Sequence, residues 1–131
     1  MGQPAAKQGD KVTATDIHIV LVPSGSGTAP VPLPHPFSGI IDGALSSNVN
    51  IMSMAAATVQ STATNTPPHI PNGISFVNPP KNKATIFKGS TTVFINNKPA
   101  ARSGDVALTC NDPVDAPVGT VVAVGTVLVG G

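Results

Sequence analysis

The only imidazoles and the only thiol in this 131-residue chain are His18, His35, His69 and Cys110. Three of them fall at related distances from a recurring sequence: His18 stands fourteen residues beyond Pro4, His69 fourteen beyond Ala55, and Cys110 eleven beyond Pro99. Each copy of the repeat therefore supplies one nitrogen or sulfur donor. His35, within Val31-Pro32-Leu33-Pro34-His35-Pro36, is not placed by the repeat but brings the count to four. Zinc takes four such donors tetrahedrally, and four protein ligands make a closed, structural site. A mixed N/S set suits zinc better than magnesium or calcium, which prefer oxygen. The expectation is one structural Zn2+ held by His18, His35, His69 and Cys110, contributing on the order of 10 kcal/mol to folding. Taken singly, each residue has a plainer reading: a packed strand histidine, a loop histidine, a small buried hydrophobe. The shared offsets argue for one site.

The repeat itself is Pro4-Ala5-Ala6-Lys7-Gln8-Gly9-Asp10, which returns as Pro99-Ala100-Ala101-Arg102-Ser103-Gly104-Asp105. A worn middle copy emerges when Val49 to Ala57 is laid on Val93 to Ala101, aligning Ala55 with Pro99; it lacks the Pro, the basic residue and the Gly-Asp. Proline fixes φ, Gly-Asp closes a reversal, and Asn96-Asn97 tolerate positive φ, so the heptapeptide reads as a structural turn. Lys7, Asp10, Arg102 and Asp105 then pair or lie solvated rather than act as acid and base. The tail Thr126 to Gly131 overlays Thr92 to Asn97, the strand that precedes the third copy. The first copy has no such strand before it. The C-terminal strand is expected to fill that place, so that the chain ends meet and three similar sides close around an axis, removing exposed edges.

These elements are short strands. Ile17–Val22, Asn48–Met52, Gly73–Val77, Ala84–Phe87, Thr91–Ile95 and a pair within 119–129 are rich in β-branched residues and bounded by Gly, Pro or Asn. Hairpins are expected around Gly89-Ser90 and Gly125-Thr126. Residues 23–36 read as a Pro/Gly/Ser-rich extended segment that presents His35. A short helix around 52–59 competes with strand and turn, which the repeat favours. Thirteen Gly, fourteen Pro and no Glu argue against long helices. With four Phe and no Trp or Tyr, the core is thin and needs a staple.

A net charge of +1 gives no basic face for nucleic acid. The apolar runs fall short of the roughly 20 residues of a spanning helix. One Cys forms no internal disulfide, and nothing at Met1-Gly2-Gln3-Pro4 resembles a secretory leader. The chain is expected to be made in a reducing cytosol and exported, if at all, by another machine.

Lys98 to Asp105, preceded by Gly89 to Asn96 and supported by Gly119-Thr120-Val121-Val122 and Val127 to Gly131, resembles the proline-alanine-alanine-arginine (PAAR) repeat family. The resemblance implies an all-β fold, a small cone with a pseudo-three-fold repeat and a zinc ion near its apex, held by three His and one Cys. The matching residues are His18, His35, His69 and Cys110. It also implies a partner, a trimeric β-helical spike of the valine-glycine-repeat type, capped by the cone as a monomer. The tip would be assembled in the cytoplasm and expelled by a contractile machine such as type VI secretion, crossing the target membrane only by transient piercing. Residues 1–131 are expected to form a single domain without an effector extension, serving separate effectors if any. Two other readings compete. A zinc-dependent hydrolase would need an open metal position and a base, for which Asp16 and Asp112 are the obvious candidates. A metal-free assembly plug would need neither.

Overall fold

Three copies of one short sequence, each too small to bury its own apolar side, can share a core only by closing on each other. The computed structural model, which describes residues 2–131, shows this closure bond by bond. The amide of Ala6 donates to Ala101 O (2.9 Å), that of Ala101 to Ala57 O (3.1 Å) and that of Ala57 to Ala6 O (3.0 Å). All three alanines are buried, as close chain approach at an axis demands. A second set of cyclic contacts flanks this ring: Ala5 bridges Arg102, Ala100 bridges Thr58 and Ala56 bridges Lys7. The expected pseudo-three-fold axis is thus real, and it runs through the motif.

The elements are β1 (Gln3–Pro4), β2 (Lys11–Ser24), β3 (Gly27–Gly43), β4 (Asn50–Ile51), β5 (Met54–Ala55), β6 (Thr62–Asn65), β7 (Ser75–Phe76), β8 (Lys83–Ile86), β9 (Phe94–Ile95), β10 (Lys98–Pro99), β11 (Val106–Thr109), β12 (Ala116–Val122) and β13 (Leu128–Val129). Among the described residues all regular structure is β. Three antiparallel ribbons enter the ring in the same register: Phe94 opposite Pro99 in β9–β10, Asn50 opposite Ala55 in β4–β5, and Leu128 opposite Pro4 in β13–β1. The C-terminal strand therefore completes the first copy, as the overlay requires. Two ribbons turn through left-handed pairs, Asn96-Asn97 (φ 52° and 65°) and Met52-Ser53 (φ 51° and 69°). The 52–59 segment is strand and turn, not helix.

After each motif copy the chain leaves along one strand of a closed sheet, ordered β2-β3-β6-β8-β11-β12 and back to β2. The sheet narrows away from the motif. β12 pairs with β2 only at Lys11–Thr13 and β6 with β3 only at Gly39–Gly43, whereas the β2–β3 hairpin continues to Ser24–Gly27, joined there by β7. Val12, Phe37, Ile41, Ala63, Ile86, Ala107 and Val121 fill the interior. Gly39 is one place where no side chain fits, since a Cβ there would lie 2.7 Å from the Phe37 ring.

The Pro-rich segment corrects the sequence reading. It forms most of β3, paired residue by residue with β2. Pro30, Pro32, Pro34 and Pro36 occupy every second, outward position, while His35 and Phe37 point inward. Over this stretch β3 has only β2 as neighbour. Proline is tolerated at an edge where its missing N–H would face solvent, and there it blocks further pairing. The two expected hairpins are also absent as drawn. β8 leads through Lys88–Ser90 to β9, which pairs with β10, and β12 leads to β13, which pairs with β1. Their turn residues link the closed sheet to the ribbons.

Candidate metal centre

Alternation along β2 puts Val12, Ala14, Asp16, His18 and Val20 on the inner face. Asp16 faces His35 directly across the β2–β3 pair. Cys110 follows β11, and His69 follows β6 after the Thr66–Pro68 turn, so each of the three sides of the sheet delivers its residue to one interior point beyond the apolar core. Residue offsets thus became convergence because all three strands leave the motif with the same geometry.

One donor atom each from Asp16, His18, His69 and Cys110 lies within 4.8 Å of the others. Cys110 Sγ is 3.7 Å from His18 Nε2 and 3.4 Å from Asp16 Oδ2, and Asp16 Oδ2 is 2.9 Å from His69 Nε2. Zinc bonds of about 2.0–2.3 Å imply tetrahedral donor separations of roughly 3.3–3.6 Å. The two sulfur separations lie near that range, the 2.9 Å carboxylate–imidazole contact would open by a few tenths of an ångström, and the donor set suits a metal ion. All four side chains are buried. Burying a carboxylate and other polar groups together is costly, and coordination to a cation would offset that cost.

His35 stands beside this group, with its ring 5.5 Å from that of His18 and 5.8 Å from that of His69. Both its nitrogens are engaged: Nδ1 donates to Leu33 O at 2.9 Å and Nε2 accepts the amide of Asn72 at 3.0 Å. The structure thus brings His18, His69 and Cys110 together with Asp16, and sets His35 beside them. Sequence reasoning weighed Asp16 only as a base. The two-residue spacing from His18 was the available signal, because in a strand it puts both on one face. The second Asp16 oxygen is held by Thr109 Oγ1 at 2.5 Å and by Asn111 Nδ2 at 3.4 Å, which aims the first into the cluster.

Burial favours the neutral forms of His18 and Cys110 in the metal-free protein. Burial, reinforced by nearby His69, lowers the His18 pKa from its ordinary 6.5. Burial and then the Asp16 charge push the Cys110 thiol up from 9.0 to about 11. A free lone pair on His18 is therefore ready at neutral pH, whereas the thiol must lose its proton when a cation arrives. A cleft of about 490 Å³ opens on this side, lined by His18, Cys110, Asp112 and Pro79-Pro80 among others.

The motif residues do structural work. The amides of Lys7 and Arg102 donate to Asp10 Oδ2 (3.1 Å) and Asp105 Oδ2 (2.8 Å), and in the worn copy Thr58 donates to Ser61 Oγ (2.9 Å). Gly9, Gln60 and Gly104 share positive φ, at 93°, 81° and 92°. Lys7 Nζ is salt-bridged to Asp10 at 3.0 Å and reaches Val124 O at 2.5 Å. Arg102 pairs with Asp105 at 3.0 Å, which raises the guanidinium pKa, and reaches Gly130 O at 3.1 Å. Both cations thereby clamp the segment that brings β13 home to β1.

Residues 33–116 match the family model described as PAAR motif. No curated protein matches the chain.

Proposed function

The chain belongs to the PAAR-motif family, and from that premise we propose that it is a structural spike tip, capping a trimeric β-helical spike and sharpening it for envelope piercing and effector delivery. The observation that carries this reading is the set of three ribbons in identical register around one axis. A single chain with three equivalent edges matches the end of a three-fold partner, which no asymmetric fold of this size does. The ribbons' outward residues include Phe94 (57% exposed), Leu128 (60%) and Met52 (49%), an apolar surface with few charges of the kind that obligate contacts use. The opposite, narrowing end would hold a single structural zinc on His18, His69 and Cys110, with Asp16 or a re-oriented His35 as fourth ligand. When bound, that ion cross-links three sides of the sheet; the chain's own residues supply the burial and the orientation. On this reading the protein is not an enzyme, is assembled in the cytoplasm, and leaves with the spike when the contractile machine fires.

The test is co-purification with a trimeric β-helical spike protein. Wild-type chain should bind one per trimer, and Phe94→Asp with Leu128→Asp, both at exposed positions, should abolish binding while leaving the melting temperature near its original value. Undiminished binding of the double variant would remove the ribbons from the interface.

A further inference from the structure

His18 turns only one of its nitrogens toward the cluster. Nε2 points toward Cys110 Sγ at 3.7 Å. Nδ1 is buried without a hydrogen-bond partner, the only such side-chain atom among the described residues, and the nearest carboxylate oxygen is Asp112 Oδ2 at 3.5 Å. That oxygen is not free to wander. It accepts the amide of Ile19 at 2.9 Å, while the amide of Asp112 donates to Ile17 O at 2.8 Å, so the Asp112 loop is stitched to β2 on both sides of His18. Asn111 Oδ1 adds a third stitch by accepting the amide of Ile17 at 2.7 Å.

We propose that Asp112 is the positioning residue of the metal centre: its carboxylate takes the proton of His18 Nδ1 as a hydrogen bond, fixing the tautomer whose Nε2 lone pair faces the cluster. A cation drawing electron density from Nε2 makes Nδ1–H a stronger donor, and a small closing movement brings the 3.5 Å separation into hydrogen-bond range. One Asp112 oxygen and its amide are thereby committed to β2. The inference deepens the proposed metal site and rests on it.

The experiment compares wild type with Asp112→Asn, which keeps size and an acceptor for Ile19, and with Asp112→Ala, using zinc competition against a chromophoric chelator. Partner carboxylates of ligating imidazoles typically carry about 10–100-fold in metal affinity. Both variants should lose affinity in that range, and the 15N resonances of His18 in the zinc-loaded protein should show Nδ1 protonated in wild type and its proton more rapidly exchanging in Asp112→Asn. The metal-free melting temperature of Asp112→Asn should stay close to wild type, which separates positioning from folding. Equal affinity in wild type and Asp112→Asn overturns the assignment, as does a His18 metallated through Nδ1. A wild-type chain that takes up no zinc overturns the metal site itself, and the inference with it.

Discussion

Gln60 occupies, in the middle repeat, the left-handed position that glycine holds in the other two, with φ of 81° against 93° and 92°. A non-glycine residue there costs about 1–2 kcal/mol, and glycine returns about 0.5–1 kcal/mol of that through its greater freedom in the unfolded chain. The Gln60 side chain is exposed, so its removal sacrifices little burial. Gln60→Gly should therefore stabilise the protein by somewhat less than about 1 kcal/mol, a rise of roughly 2–4 °C in melting temperature for a domain of this size. The reciprocal change isolates the same quantity. A Cβ on Gly104 would meet no atom within 4 Å, so Gly104→Ala carries a backbone cost only and should melt lower by a similar amount. Thermal denaturation followed by circular dichroism, at one fixed zinc concentration, measures both. A Gln60→Gly protein melting at or below the parental temperature would refute the equivalence of the worn copy with its two neighbours.

Cys110→Ala and His69→Ala should each abolish stoichiometric zinc in elemental analysis and lower the zinc-saturated melting temperature far more than a surface change, by well over 5 °C; shifts of a degree or two would argue against a structural ion. In metal-free protein the depressed His18 pKa means the unfolded chain takes up a proton that the fold refuses, so stability falls as pH drops below 6.5. The raised Cys110 pKa acts at the other end: between 9.0 and about 11 the unfolded chain loses a proton that the fold retains, so stability falls by up to about 3 kcal/mol as pH rises. Urea midpoints from pH 5 to 11 should peak between these limits, and Cys110→Ala should flatten the alkaline limb. Arg102→Met leaves Asp105 without its guanidinium and Gly130 O with the Ser90 hydroxyl as its remaining donor. It should cost about 1–3 kcal/mol and speed amide exchange at Ala5, whose N–H bonds Val127 O at 2.8 Å.

What the sequence disclosed was set by what repeats. The ring, the ribbons and the arrival of the last strand beside the first all followed from overlaying Pro4, Ala55 and Pro99, because equal spacing in closed strands becomes equal position in space. The convergence of His18 and His69, each fourteen residues into its repeat, follows for the same reason, and Cys110, eleven residues beyond Pro99, joins them from the end of β11. Features outside the repeat were misread. Residues 23–36 read as an extended segment presenting His35, and the alternation of Pro30, Pro32, Pro34 and Pro36 with Val31, Leu33, His35 and Phe37 carries the further sign of a paired strand, one that only an edge can accept. Asp16 reads as a base because it is a carboxylate, while its position two residues before His18 on one strand face sets it in the same buried cluster. Gln60 and Ser61 carry no visible trace of Gly-Asp, since a left-handed backbone and a side-chain acceptor can each be met by another residue at an energetic cost.

The ribbon formed by β13 and β1 gives the molecule the topology of a loop with one missing link. Gln3 and Val129 face each other as Lys98 and Ile95 do, and only a two-residue turn separates the latter pair. A short Asn-Gly bridge from Val129 to Gln3, with new termini opened between Asn96 and Asn97, would reproduce the same three-sided body with its cut moved to another side. Such a permuted chain should fold and melt near the parental temperature, because the contacts across the β13–β1 ribbon are those of the other two ribbons.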